Sequence, residues 1–229
     1  MKRAGAALLR SLGWLVPSVF LAFPRIDGLF LAYLGVVLAG SLAIALVIDP
    51  VSFRRKDGED RRSETRLSAL LFGIFVVSAL DVGRLGASGP VVAGMNPAAG
   101  AIALNAVLPD GVRGAGLALL ASAYALRTLA IGTNRFFSGV LLIQADRAHC
   151  VVDRGPYRWV RHPGNLSAIL IVLALPLAAG SCLALGIGAL AALVVLDRTA
   201  KEDRFLRERL PGYLEYQRSV PYRLVPGVY

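Results

Sequence analysis

The 229-residue chain is 56 % hydrophobic and 17 % charged, with a net charge of +10. Soluble domains carry about 25 % charged residues, so an ordinary soluble protein is excluded, and the apolar content excludes a disordered chain. The basic residues stand between long apolar runs rather than along one continuous face, which argues for a membrane and against nucleic acid.

Taken in chain order, residues 4–23 follow Lys2 and Arg3 and read as a retained membrane helix. A signal peptide is the competing reading, but Arg10 interrupts the apolar run and no small-x-small cleavage site follows Phe23. Residues 28–48 form the clearest span, with no charge before Asp49. A further span is predicted over residues 67–80, ending near Asp81 and Arg84. Residues 85–108 are apolar but broken by glycine and proline, and are expected to be irregular or re-entrant at the membrane face. Residues 114–133 form another span, with Arg127 inside it. Residues 164–196 hold 33 residues without a charge, too long for one span. Gly180-Ser181 marks a turn there, so a helical hairpin of two short spans is predicted, needing tilt or local thinning of the bilayer.

This gives an all-α polytopic protein with about six spans and both termini on one side. That side receives 21 of the 25 basic residues, and three lie on the other. The asymmetry assigns the basic side to the cytoplasm. No internal repeat or linker divides the chain, so residues 1–229 are expected to be a single membrane domain: N-terminal spans over 1–132, then a polar-motif region over 133–229.

The chemistry is expected in two cytoplasmic stretches, residues 134–165 and 197–229. The first is about 30 residues long, well beyond an ordinary loop, and holds both histidines, Gln144 and five arginines. A basic loop resting on anionic headgroups accounts for the arginines. It does not account for Gln144, His149, Tyr157 and His162 lying among them. In Arg161-His162-Pro163, proline disfavours helix at His162 and suits the first turn of the next helix. A helix should therefore begin near Pro163, with free N–H groups at Gly164 and Asn165 able to attract an anion and Arg161 adding charge. In the second stretch Arg198 and Glu202 are four apart on one helix face. The plainer reading is an exposed ion pair of little energetic value. From Phe205 the tail alternates basic residues with Leu206, Leu210, Tyr213, Leu214 and Tyr216, as though lying along the membrane surface. No metal site is expected: Cys150 and Cys182 exclude a four-cysteine zinc centre, and no ligand spacing accompanies the histidines.

These residues resemble a known family. The loop GPYRWVRHPGN, the preceding Gln144 and His149-Cys150-Val151-Val152, and the tail RTAKED with Tyr213, Tyr216 and Val220-Pro221 are similar to the isoprenylcysteine carboxyl methyltransferase family, in its bacterial branch. The resemblance covers residues 133–226. It implies an S-adenosyl-L-methionine cofactor held at the cytoplasmic face under a lid made by loop and tail. It places Gln144, His149, Cys150, Val151, Val152, Tyr157, His162, Pro163, Gly164, Asn165 and Glu202 at cofactor-contact positions, with Arg161 beside them. It also places Arg198 near the acceptor, so that Arg198 and Glu202 are the candidate catalytic pair. The family usually has tyrosine where this chain has Asn165, often glycine where it has Ser167, and a Glu-Glu pair where it has Glu202-Asp203.

Methyl transfer from a sulfonium is an in-line displacement in which positioning supplies most of the acceleration, which suits a site with no obvious nucleophile. The acceptor implied is a lipophilic small molecule or lipid-modified group reaching the site from the bilayer, with membrane lipids around it and no nucleic acid partner. Two other classes compete. A membrane reductase using NADPH would also favour the arginines, although no glycine-rich dinucleotide fingerprint is present. A small transporter or structural membrane protein is disfavoured, since Arg127 is the obvious ionisable residue within the spans and no inverted repeat is visible.

Overall fold

The computed structural model describes residues 27–48, 61–83 and 108–229. Among them the structure is helical and no β-strand forms: α1 (Gly28–Val47), α2 (Arg61–Gly83), α3 (Asp110–Thr133), α4 (Pro163–Ala179), α5 (Cys182–Arg209) and α6 (Tyr213–Ser219), with 3₁₀ turns at Ala145–Arg147 and Gly155–Arg158. Among the described residues, α1, α3 and α5 are long and apolar enough to cross a membrane, and α4 is a shorter apolar helix. Leu31, Leu46, Leu129, Leu190 and Leu193 stand exposed on the outside of the bundle, as expected of helices whose solvent is lipid. The chain is an integral membrane protein. The expected helix over residues 4–23 and the re-entrant segment over 85–108 lie outside the described residues.

The hairpin predicted over residues 164–196 forms, with its turn where expected. Gly180 closes α4 in the left-handed conformation at φ 86°, which glycine adopts without a Cβ penalty. Ser181 then caps α5, its hydroxyl accepting from the Ala184 N–H. The arms are unequal, contrary to the two short spans expected. The 17 residues of α4 reach about 26 Å and the 28 of α5 about 42 Å, at 1.5 Å per residue. The second arm therefore runs beyond a hydrocarbon core of about 30 Å, because the helix continues through Asp197 into the charged stretch. A Cβ on Gly188 would meet the Val172 carbonyl oxygen at 2.5 Å, so α5 lies directly on α4, in the small-residue packing that membrane helices use.

The two ends of the bundle differ. At the turn end, the Arg113 guanidinium donates to both oxygens of Asp27 at 2.7 and 2.9 Å, tying the start of α1 to the start of α3. The Ser181 hydroxyl donates to Asp81 at 2.6 Å, tying α2 to the hairpin. Phe30, Tyr33, Leu120, Ala123, Leu175 and Ala178 fill the core above these ties. At the opposite end, here called the loop end, α3 passes into residues 134–162, α4 begins, and the extension of α5 emerges. The tail does not lie out along a surface as expected. It turns back, and Leu210, Tyr213, Tyr216 and Val220 are buried against Ile143, Val151 and Leu206. The Tyr222 and Arg223 carbonyls accept from the Arg161 and His162 N–H groups at 3.0 and 2.9 Å, so the apolar side of the tail is used to cover the loop.

Candidate functional site

Asp203, on the extension of α5, organises the loop end. Its carboxylate is 2 % exposed and accepts from six donors. Arg161 Nε and Nη2 bind it at 2.9 and 3.2 Å, His162 Nε2 lies at 3.0 Å, and the Tyr213 hydroxyl donates at 2.9 Å. Gln217 and Arg223 add bonds at 3.1 and 3.0 Å. Burial alone would raise this carboxyl, but the hydrogen bonds from His162, Arg161 and Tyr213 outweigh it and hold it well below the ordinary carboxylate range. Burial and the neighbouring Asp203 charge push Tyr213 up, so the phenol stays a donor. One carboxylate thus ties together the Arg161-His162 corner, α5, α6 and the tail.

Pro163 opens α4, and His162 before it is non-helical at φ −125°, ψ 59°, as its place before proline requires. The expected anion site at this helix start takes a different form. The Asn165 N–H donates to the His162 carbonyl at 3.0 Å, and Arg161 points its guanidinium away, to Asp203 and to the Val220 carbonyl at 2.7 Å. Arg161 is a buried tie whose donors are engaged by the protein. Gly164 has a steric reason: a Cβ there would lie 2.4 Å from the Phe137 ring.

A cavity with about 730 Å³ of empty space, partly open to solvent, lies between loop, tail and α5. Among the residues expected at the site, His149, Cys150, Val151, Val152, Tyr157, Arg161, His162, Gly164, Asn165 and Glu202 border it. Gln144, Pro163 and Arg198 are not among its lining residues. Gln144 is fully buried: its amide donates to the Phe136 carbonyl at 2.9 Å and its oxygen accepts from Arg147 at 2.7 Å, which holds the loop in shape from behind the wall. His149 stacks on Phe136 with ring centroids 4.4 Å apart. Burial first, then the Arg147 charge, pushes His149 down to about 4, so its ring is neutral near pH 7. Glu202 accepts from the Asn165 amide at 2.7 Å. Asn165, where tyrosine is usual in the similar family, thereby fixes the carboxylate at the cavity edge. Tyr157 is held by its neighbours: its hydroxyl donates to the Ala130 carbonyl at 3.3 Å, and its own carbonyl accepts from Tyr216 at 2.8 Å.

Arg198 and Glu202 share a helix face but not a hydrogen bond. Arg198 donates through Nη2 to the Gly139 carbonyl, and its Nε is buried without a partner. Arg127, on α3, donates to the Gly164 carbonyl at 3.1 Å and lies over the Phe137 ring. Gly164 and Phe137 both line the 730 Å³ cavity, whereas Arg127 borders a second, incompletely enclosed space of about 1120 Å³ among α1, α2, α3 and α4. Sequence reasoning missed this junction, although a charge inside a predicted span was its visible signal. It also missed the hub role of Asp203, whose partners come from residues up to 42 positions away. Among the described residues no cluster of His, Cys, Asp and Glu is arranged for a metal ion.

Residues 116–208 match the isoprenylcysteine carboxyl methyltransferase family. The chain also aligns with a solved structure of the eukaryotic intramembrane Ras methyltransferase ICMT, at TM-score 0.48 and 17 % identity, over 98 % of both chains. No curated protein gives a significant match.

Proposed function

We propose, from the premise that this chain is an integral-membrane methyltransferase resembling the isoprenylcysteine carboxyl methyltransferases, that it transfers a methyl group from S-adenosyl-L-methionine to a lipophilic acceptor in a bacterial cytoplasmic membrane, with its loop end in the cytoplasm. The observation that carries this reading is the junction at Gly164. A polar, solvent-reached cavity built from both motif stretches lies on one side, an apolar space within the bundle lies on the other, and Arg127 bridges them. A water-soluble methyl donor and a membrane-borne acceptor need that arrangement.

The cavity suits the donor. The Glu202 carboxylate, 27 % exposed at its side chain, fits an ammonium or a pair of ribose hydroxyls. Val151, Phe205 and Leu210 offer an apolar wall to a purine. Bound there, the cofactor supplies a methyl group on a sulfonium. The chain's own residues do the rest: Tyr157, His162 and Asn165 shape the cavity, the folded-back tail restricts water, and Glu202 orients the donor. Arg198 and Arg127 hold an electron-rich acceptor group toward Gly164. With the donor held by Glu202 and the acceptor by the two arginines, the acceptor's heteroatom would take the methyl group as its bond to sulfur broke. The excess of basic residues on the loop side supports its cytoplasmic placement.

The test is a melting experiment on the purified protein with S-adenosylhomocysteine and, separately, NADPH. A ligand that binds only the folded state raises the melting temperature by mass action. S-adenosylhomocysteine is expected to raise it, and His162→Ala to weaken that rise. A shift with NADPH and none with S-adenosylhomocysteine would replace this reading with a reductase.

A further inference from the structure

Five arginines stand in the loop between α3 and α4, and the structure divides them. Arg161 is buried on Asp203. Arg147 donates to the Gln144 side chain and the Arg135 carbonyl, and Arg135 lies over the Phe136 ring, 4.6 Å from its centre. Arg154 and Arg158 differ: both are exposed, and neither guanidinium has a hydrogen bond, ion pair or ring contact among the described residues. They flank the 3₁₀ turn Gly155–Arg158, one just before it and one closing it. Trp159, the next residue, is 74 % exposed, a large aromatic surface that folding leaves uncovered. Asp153 is the one acid between residues 151 and 162, so the exposed charge of the turn is net positive.

Neighbours fix the depth of this turn. A Cβ on Gly132 would lie 3.9 Å from Val47, so α1 ends level with the last turn of α3. Leu46 and Leu129, just short of those ends, are 69 and 61 % exposed, and the lipid-facing surface therefore reaches this level. The 3₁₀ turn closes directly on it. A Cβ on Gly155 would lie 3.0 Å from the Thr133 hydroxyl, and the Tyr157 hydroxyl donates to the Ala130 carbonyl at 3.3 Å. Two cations and an indole are thus exposed where hydrocarbon gives way to headgroups, the level at which tryptophan is enriched and basic residues meet anionic lipid. The same turn is a wall of the cavity. Tyr157, between the two arginines, borders that cavity, and its carbonyl accepts from Tyr216 of α6 at 2.8 Å. A grip on the turn therefore reaches both the cavity and the tail.

We propose that Arg154, Arg158 and Trp159 bind an anionic phospholipid of the loop-side leaflet, and that this lipid braces the Tyr157 wall of the cavity. The guanidinia meet the phosphate, and the indole beds among the glycerol and the upper acyl carbons. A free phosphate would satisfy the cations but not the indole. A protein partner would also use tryptophan and arginine, but it would have to reach a surface already level with the bilayer. The lipid site stands apart from any reading of the reaction, whereas its effect on the cavity rests on the methyl-transfer reading above. A lipid that steadies the wall and a donor that fills the cavity favour the same conformation, so each raises the other's affinity by one common factor.

The experiment uses the full chain carrying Trp14→Phe, which leaves Trp159 as its single tryptophan. It is placed in phosphatidylcholine nanodiscs that contain the same fraction of either brominated phosphatidylglycerol or brominated phosphatidylcholine, with the bromines on the upper acyl carbons. Bromine quenches an indole it touches, so the ratio of the two signals reports which lipid stays beside Trp159. Phosphatidylglycerol should be preferred by about twentyfold, two basic residues at roughly fivefold each. Arg154→Gln and Arg158→Gln should each lose about fivefold of that preference, with melting unchanged because neither side chain has a partner in the fold. Glycerol phosphate in the buffer should not compete. Equal quenching by the two lipids, or none, would overturn the lipid site, and competition by glycerol phosphate would replace it with a site for soluble phosphate. The affinity for S-adenosylhomocysteine, measured in the same nanodiscs, should rise by about fivefold when phosphatidylglycerol is present. The two arginine substitutions together should remove that rise and leave the affinity in phosphatidylcholine alone unchanged. An affinity that ignores the lipid would overturn the bracing of the cavity. Absence of S-adenosylhomocysteine binding in both membranes would instead sink the methyl-transfer reading, and the quenching ratio would still decide the lipid site.

Discussion

Asp203 and the Arg127–Arg198 junction lie at the same end of the bundle and handle charge in opposite ways. At Asp203 the acid meets six donors, including two arginines and a histidine, and its two oxygens are saturated. At the junction, among the described residues, two cations meet no carboxylate: their hydrogen bonds go to backbone carbonyls, and a buried donor goes unused. The saturated carboxylate has no capacity left for a ligand, so its work is to hold loop, helix and tail in register. The unsaturated junction contributes little to that register and retains capacity for an anion. Nearness in sequence does not distinguish them, since Arg198 and Asp203 stand five residues apart on one helix. The count of satisfied hydrogen bonds does.

The largest expected effect tests the saturated side. Asp203→Ala leaves Arg161 and His162 buried without their counter-charge, and removing one partner of a buried pair costs about 3–5 kcal/mol. The melting temperature of the purified protein should fall by about 10 °C, and binding of S-adenosylhomocysteine should go with it. A change of a degree or two would mean that the cluster is not what holds the loop.

Arg198→Ala probes the other side. Melting should hardly move, because no carboxylate loses its partner, while methyl transfer into bacterial membrane extracts, followed with a radiolabelled methyl group, should fall about a hundredfold from lost positioning. Arg198→Lys should restore little, since lysine offers a point charge in place of a planar fork. Equal losses of stability and turnover would erase the contrast between the two regions.

A smaller effect sharpens the comparison through pH. The His149 imidazole sits at about 4 in the folded protein, against an ordinary value of 6.5, from burial and from Arg147. The unfolded chain takes up that proton between about pH 6.5 and 4 and the folded one resists, so stability falls as pH drops through this window and is unaffected above it. Asp203, held below its ordinary value of 3.8, keeps its contribution above that value and loses it only at still lower pH. Melting curves from pH 7 to 4 should show the His149 slope. His149→Phe, which keeps the ring on Phe136, should flatten it.

Among the described residues, the helices and the hairpin turn were legible because apolar runs, Gly180-Ser181 and Pro163 act locally, through hydrogen bonding within a few residues. Most of the expected cofactor residues share one cavity for the same reason: two short motifs carry them, and each motif folds as a unit. What was not legible depends on contacts distant in sequence. Asp203 looked like the second acid of a pair, and nothing near it announces donors at positions 161, 162 and 223. Gln144 looked like a contact residue but is turned into the loop, because the Phe136 carbonyl, eight residues earlier, needed a donor. The tail's alternating pattern was read as membrane-facing. Its tyrosines instead find hydroxyl partners at Asp203 and the Tyr157 carbonyl, which draws their rings inward.

The central claim is that the cavity at Glu202 holds the methyl donor while Arg198 faces the acceptor. Isothermal titration of S-adenosylhomocysteine into the unaltered protein, Glu202→Gln and Arg198→Ala tests it most directly. Glu202→Gln should weaken binding by at least about tenfold through loss of a charge-assisted hydrogen bond, and Arg198→Ala should bind as the unaltered protein does. Equal, small effects of the two substitutions would contradict the account and remove both residues from the site.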